Sequence, residues 1–289
     1  MKIVVIGAGI SGSVCAWKLA KDGLDVTLVE TGRGGGGRMA TRRMEGARID
    51  HGAQFFTVRD PRMVELLSLW QYEKAVIPWY DHIPGRPDVP KGQRYRGSEG
   101  MTSPAKILAK EFTVETSFFL QRIEQKENIW TLHPKDDGQR TLEADHLVLT
   151  IPSIQLLELF QRSDYELDED TMIRLRSIRH TRCLAVLGIM DRPSSLESPG
   201  TLTHPVPEID WISDNQVKGI SQKPACTIHA SDEYSQKFWT ASDSERVPSL
   251  LSIAEENLNV KIMSWSSHRW GFAKPVVTFG ATHWHSSPR

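Results

Sequence analysis

The stretch KIVVIGAGISGSVCAWKLAKDGLDVTLVE, residues 2–30, decides the fold. Lys2–Ile6 is short, β-branched and apolar, the pattern of a strand buried on both faces. Gly7-Ala8-Gly9-Ile10-Ser11-Gly12 follows as a GxGxxG turn, and residues 10–22 carry helix formers that stop at Gly23. Residues 25–30 predict a second strand, and parallel pairing of the two through the helix makes a right-handed βαβ unit. The first glycine permits the tight turn, the second lets a pyrophosphate approach the backbone, and the third lets helix pack on strand. The helix N-terminus offers N–H groups and positive dipole character to phosphates. Glu30 lies 18 residues past Gly12, where its carboxylate can accept hydrogen bonds from a ribose diol. A 2′-phosphate would be repelled there, so the adenosine half is expected to be unphosphorylated.

The rest of the composition is that of a globular enzyme. The 289 residues are 39% hydrophobic and 25% charged, enough for one large or two linked domains with a sizeable core. A net charge of -1 provides no global field to recruit nucleic acid or an anionic membrane. No apolar run approaches the roughly eighteen residues needed to span a bilayer. The sequence opens directly into a strand, so no signal or transit peptide is visible. Cys15, Cys183 and Cys226 are sparse and form no CxxC pair, which suits a reducing compartment and argues against a disulfide framework or a zinc site. The expected address is the cytosol. The sequence contains no Walker A loop, nucleophile elbow or HExxH, so hydrolytic classes have no footing.

Outward from the opening unit, glycine dominates residues 32–37, too densely for helix or strand. The pattern predicts an amphipathic helix over residues 61–72, a Pro/Gly-rich surface loop over 78–100 and a helix over 104–110. Short strands are expected near 113–123 and 129–133. Residues 147–151, apolar and closed by Pro152, are expected to return to the first sheet. Beyond them, strands are expected at 183–190, 225–230 and 260–270, with a loop at 191–207 and helices near 233–241 and 247–257.

Two further segments narrow the chemistry. They are Arg33-Gly34-Gly35-Gly36-Gly37-Arg38-Met39 and Asp50-His51-Gly52-Ala53-Gln54-Phe55. Consecutive glycines let backbone N–H groups crowd a second phosphate region. Arg38 brings a forked cation suited to pyrophosphate oxygens. Gly52-Ala53-Gln54 lets the backbone pass close to a flat ring system. These stretches resemble the GG-doublet signature of the amine-oxidase-like flavoprotein superfamily. RGGGGRMATRR (33–43) with IDHGAQFFTVRD (49–60) resembles its renalase branch in particular. YRGSEGM (95–101), LTIPSIQ (149–155), WISDN…IHASDEYS (211–235) and SHRWGFAKP (267–275) fit that branch in matching order, so the likeness spans about residues 1–275.

The resemblance implies an α/β fold: an FAD-binding doubly wound, Rossmann-like domain interrupted by a mixed-sheet substrate region. The expected division is 1–60, 100–155 and 262–289 for the FAD domain, and 61–99 and 156–261 for the substrate region. The site is expected where the two meet, at the carboxyl ends of the parallel strands. FAD would be held by Gly7, Gly9, Ile10, Ser11, Gly12, Glu30, Thr31, Gly36, Gly37, Arg38, Gly52, Ala53, Gln54, Phe55, Leu120 and Pro152. His268, Arg269 and Trp270 would form the catalytic set beside the flavin. The implied reaction is oxidation of dihydro isomers of NAD(P)H to NAD(P)+, with O2 as acceptor and H2O2 as product. Hydride loss makes an aromatic pyridinium directly, in keeping with a sequence that offers no obvious catalytic base. A flavin amine oxidase and a non-catalytic nucleotide-binding protein are the alternatives. Members of the superfamily share a third FAD segment near the C-terminus, a Gly-Asp pair before a Gly/Ala-rich helix start. After Lys274-Pro275 this sequence reads VVTFGATHWHSSPR, so FAD is expected to be held by the N-terminal sites, and weakly.

Other clusters are weaker. Arg42, Arg43 and Arg48 are expected to form a solvated basic face. His283-Trp284-His285 has no carboxylate or thiolate nearby, so no metal site is expected. Trp79, Tyr95, Trp211 and Trp239 are candidates for an apolar pocket, with Trp211 the best placed.

Overall fold

In the computed structural model, which describes residues 1–82, 91–136, 138 and 140–281, Lys2–Ile6 and Asp25–Val29 form parallel strands joined by the helix Ile10–Lys21. His146–Leu149 pairs parallel with Lys2–Ile6 on its other side, and Thr113–Glu115 extends the sheet beyond Asp25–Val29. Alternate side chains of the central strands enter two cores. Val4, Ile6 and Val29 pack with Phe118, Ile123, Leu132 and Phe160, while Ile3, Val5, Val26 and Leu28 pack with Ala16. Burial on both faces is why these strands are continuously apolar, and each such side chain contributes about 1.5–3 kcal/mol.

The chain divides into two units. The first comprises Met1–Gly37, Leu108–His180 and Lys274–Arg289. Besides the parallel sheet it carries an antiparallel sheet of Leu120–Lys126, Ile129–Pro134 and Leu142–Ala144. Helices Ser153–Arg162 and Glu169–Ser177 follow, the latter capped by Asp168 Oδ1 accepting from the Thr171 N–H.

The second unit comprises Arg38–Ile107 and Thr181–Ala273. Its centre is a five-stranded antiparallel sheet in the order Thr201–Val206, Ile209–Asp214, Ala225–Ala230, Cys183–Met190, Ile262–Trp270. Leu184, Val186, Ile212 and Ile228 on this sheet bury against Leu250, Ala254 and Leu258 of the helix Pro248–Leu258. A hairpin of Thr41–Met44 and Ala47–Asp50 places Ala47 and Ile49 in contact with Leu187 and Ala225. That packing puts residues 38–60 in the second unit, and pairing of Ile262–Trp270 with Cys183–Met190 does the same for 262–273. Both stretches lie on the other side of the division drawn from sequence.

The α/β class is as expected, but two segments differ from the sequence reading for the same reason. Residues 78–100 are not all loop, because Val76–Tyr80 and Arg94–Gly97 pair antiparallel with Pro78 opposite Tyr95. Residues 191–207 contain the strand Thr201–Val206, which includes Pro205 and lies at the sheet edge. Proline cannot donate to a ladder, but at an edge no donor is required of it. Among the described residues no helix is long and apolar enough to cross a membrane.

Candidate active site

The first unit builds a glycine cradle. Gly7 adopts φ +103°, its N–H donates to the Val29 carbonyl at 2.9 Å, and a Cβ there would meet Thr150 Oγ1 at 2.9 Å. A Cβ on Gly12 would lie 2.0 Å from the Gly7 carbonyl oxygen, so only glycine lets the helix seat on the turn. Gly9 differs: a Cβ there would meet nothing within 4 Å. The backbone at Gly9 is therefore open to a ligand, and no side chain caps the helix Ile10–Lys21 that begins beyond it. Gly36 N–H donates to the Ala8 carbonyl at 2.7 Å, folding the glycine run back onto the first turn. Thr150, which sequence reading passed over, donates its hydroxyl to the carbonyls of Ile6 and Gly7 at 2.9 and 3.0 Å. A dinucleotide phosphate region fits this cradle. Ser11 and Thr31 are exposed, Ile10 is half-buried, Leu120 packs against the core, and Pro152 precedes the helix Ser153–Arg162.

Glu30 has a second task that sequence did not assign. Its Oε2 accepts from the Ala8 N–H at 2.9 Å and its Oε1 from the Gly32 N–H at 2.7 Å, tying the two glycine turns together. Sequence alone assigns Glu30 to the ribose, which would leave the apo-protein indifferent to its replacement. The geometry reverses that expectation. Glu30→Gln should lower apo-protein stability by about 1–3 kcal/mol, because a carboxamide has only one acceptor oxygen for two N–H groups. An unchanged melting temperature of flavin-free protein would remove this tie from the account.

The second unit gathers a different set. Asp50 is fully buried, with Oδ1 accepting from Thr41 Oγ1 at 2.6 Å and the Met101 N–H at 2.8 Å. Its Oδ2 pairs with Lys218 Nζ at 2.8 Å, both side chains having no exposure. Burial pushes the Lys218 ammonium pKa down while Asp50 opposes the shift. Lys218 Nζ also donates to Gln54 Oε1 at 3.1 Å, which accepts from Ser213 Oγ at 2.9 Å. Gln54 Nε2 returns to the Asp50 carbonyl at 2.6 Å, so the network closes on itself.

His51 follows Asp50 and is 6% exposed. Its carbonyl accepts from Trp270 Nε1 at 2.8 Å and lies 3.1 Å from His229 Nε2. Its ring stacks on Trp270 at 5.2 Å and meets His268 edge-on at 5.0 Å. Burial, then the fields of His268, Arg42 and His229, push the His51 ring down to about 3, and burial with Arg42 lowers His268 as well. Both imidazoles are therefore neutral near pH 7. Gly52 must be glycine, since a Cβ would sit 2.1 Å from the Arg38 carbonyl oxygen. Ala53 N–H donates to that carbonyl at 2.7 Å, while the exposed Arg38 side chain makes a long 3.3 Å contact from Nη1 to the Phe272 carbonyl.

A family model described as an NAD(P)-binding Rossmann-like domain matches residues 5–69. Hydroxyneurosporene desaturase of Rubrivivax gelatinosus is 47% identical over 58 residues, 20% of this chain and 11% of that protein. Protoporphyrinogen oxidase 2, chloroplastic/mitochondrial, of Arabidopsis thaliana is 36% identical over 78 residues, 27% of this chain and 15% of that one. The matched stretches thus span a small fraction of those relatives' lengths. Cyclohexylamine oxidase from Brevibacterium oxydans IH-35A superposes with a TM-score of 0.70 at 16% identity, covering 93% of this chain and 84% of that chain, a likeness of fold. The chain therefore shares the fold of cyclohexylamine oxidase over most of its length, and its opening residues match a Rossmann-like nucleotide-binding domain.

Within that fold, the candidates from sequence separate. His268 and Trp270 join His51 on one face of the strand Ile262–Trp270, whereas Arg269 is exposed on the other and donates to the Ala241 carbonyl at 3.1 Å. Trp79 and Trp211 both meet Phe55, at 6.5 and 5.8 Å, but Tyr95 stacks on Phe56 and Trp239 lies under Arg182. Arg42 donates to Ser266 Oγ at 2.9 Å, Arg48 pairs with Glu99 at 3.4 Å, and Arg43 stands opposite Arg48 in the hairpin. His283, Trp284 and His285 lie outside the described residues, among which no metal-binding group of His, Cys, Asp or Glu occurs. Lys218 and Arg94 carried no signal in the sequence, because a lysine or arginine in a loop or strand is ordinarily solvated.

Proposed function

We propose that this chain is a renalase-like FAD-dependent oxidase that converts dihydro isomers of NAD(P)H to NAD(P)+, with O2 as acceptor and H2O2 as product. Gly7, Gly9, Gly12, Glu30, Gly36 and Gly37 would hold the adenosine and pyrophosphate end. Arg38 would add its largely uncommitted guanidinium, and Gly52, Ala53, Gln54 and Phe55 the backbone beside the ring system. When bound, FAD would supply the two-electron acceptor and its reoxidation by O2.

The observation that carries this reading is the neutral wall of His51, His268 and Trp270. With its pKa near 3, His51 is a poor base at neutral pH. An amine reaches an enzyme as an ammonium ion and must shed a proton before it can give up a hydride. A dihydropyridine needs no such step, because loss of hydride from the ring carbon leaves an aromatic cation. A wall that positions a donor ring without accepting a proton suits the second substrate. The test is an anaerobic visible spectrum of the flavin-loaded protein. A 6-dihydro isomer of NADH should bleach the flavin bands, benzylamine and putrescine should leave them, and admitted O2 should restore them with H2O2. Bleaching by the amines alone would assign the chain to the amine oxidases instead.

A further inference from the structure

Arg94 is 5% exposed, yet no carboxylate pairs with it among the described residues. Its Nη1 donates to the carbonyls of Asp81 at 2.9 Å and Gly92 at 2.8 Å, which commits one end of the guanidinium to the backbone. Nε is buried without a partner, and Nη2 makes no hydrogen bond to a described residue. Nε and Nη2 together form the forked edge that matches two oxygens of one carboxylate or phosphate. The guanidinium carbon lies 5.6 Å from the Phe55 ring centroid and 5.2 Å from that of Tyr80, with the two rings 6.0 Å apart and so on the same side of it.

The neighbouring groups are incomplete in the same sense. Tyr80 Oη, Thr201 Oγ1 and Trp211 Nε1 are all buried without a hydrogen-bond partner. The Tyr80 hydroxyl feels Thr201 without meeting hydrogen-bond geometry. Thr201 is 9% exposed and Trp211 8%, so solvent does not reach them freely. Phe55 links the group, touching Arg94, Tyr80, Trp79 and Trp211. Buried polar groups are ordinarily satisfied, and a half-satisfied buried cation is costly. Arg94 Nε and Trp211 Nε1 are left without an acceptor beside this aromatic wall, and Tyr80 Oη has only a poorly aligned Thr201 nearby, which marks a place where a ligand completes the bonding.

We propose that this wall binds the oxyanion of a planar substrate, with the Arg94 fork holding a carboxylate or phosphate and the rings of Phe55, Trp79, Tyr80 and Trp211 packing on the body. The inference deepens the oxidase reading by naming the chemical class that the second unit selects: anionic and flat rather than cationic. It rests on that reading only for calling the ligand a substrate.

Calorimetric titration of the purified full-length protein with nicotinate, phenyl phosphate, nicotinamide and benzylamine tests it. At least one oxyanion should bind about tenfold or more tightly than nicotinamide, and benzylamine should not bind. Which of nicotinate and phenyl phosphate binds more tightly assigns the wall to carboxylate or phosphate. Arg94→Gln should abolish the preference, and Arg94→Lys, a point charge without the fork, should restore only part of it. If Arg94→Gln does not fold, the wild-type comparison of nicotinate with nicotinamide decides, and Tyr80→Phe and Thr201→Val should each narrow the preference. Equal affinity for nicotinamide and the oxyanions, or no binding of any probe, would overturn the proposal and leave internal water as the missing partner. Absence of the oxyanion preference in the wild-type protein, with dihydro-isomer oxidation intact, would sink this inference alone. The reverse result would sink only the proposed reaction.

Discussion

Lys218→Met should destabilise the second unit by about 3–5 kcal/mol, the largest single effect expected in this protein. The substitution removes the ammonium from a site with no exposure and leaves Asp50, also without exposure, with the half-buried Arg96 as its only nearby described cation and no ion-pair contact. Thr41 Oγ1 and the Met101 N–H still donate to Asp50 Oδ1, but Oδ2 has lost its only described partner. Gln54 Oε1 would retain Ser213 but lose the second donor. Pairing the change with Asp50→Asn should recover a substantial part of the loss, because the fully buried carboxylate is then gone. Urea unfolding followed by tryptophan fluorescence measures both variants. A loss under about 1 kcal/mol for the single variant would mean that Asp50 is relieved by water or by relaxation of the hairpin. A double variant as unstable as the single one would mean that packing of the lysine stem, not charge, dominates.

The second large effect is a dependence on acid. His51 has an ordinary pKa of 6.5 when unfolded and about 3 in the fold, so below pH 6.5 the unfolded chain binds a proton that the folded chain refuses. The stability contributed by neutral His51 is fully present above about pH 6.5, is lost progressively as pH falls toward 3, and changes no further below that. The gap between the two values corresponds to at most roughly 4–5 kcal/mol. His268, also lowered, adds to the loss in the same direction. Asp60 and Glu124 complicate the acid end, because their partners hold each near 2 and protonating them weakens those contacts. Comparison with His51→Phe isolates the histidine. Its ring can still meet Trp270 and the backbone carbonyl at position 51 is unchanged, so its urea midpoint should fall much less between pH 6.5 and 3. Parallel curves for wild type and His51→Phe would show that His51 is protonated in the fold without strain.

Much of the first unit was legible because its logic is local. A GxGxxG between an apolar strand and a helix has few other uses, and residues 2–30 adopt the expected strand, turn, helix and strand. The glycine run was legible as lacking regular structure through Gly36, while Gly37 opens a short 3-10 turn, Gly37–Met39. Strand periodicity also carried information within the HRW stretch, because a period of two puts His268 and Trp270 on one face and Arg269 on the other. Where proline spoke against strands, near Pro78 and Pro205, the rule was right for interior strands and silent about edges.

By itself the sequence determined the βαβ opening, the α/β class and the glycine positions on which a phosphate cradle depends, all set by steric demands within some thirty residues. Only the tertiary structure decided which charges are buried and what they meet. Asp50 and Lys218 lie 168 positions apart, and nothing in either neighbourhood announces the other. His51 reaches Trp270 across 219 positions, and Arg94 becomes a buried cation beside the rings of Phe55 and Tyr80. The physical reason is range. Backbone sterics and periodicity act over a turn or a strand, while desolvation and ion pairing depend on what the folded chain brings within a few ångströms.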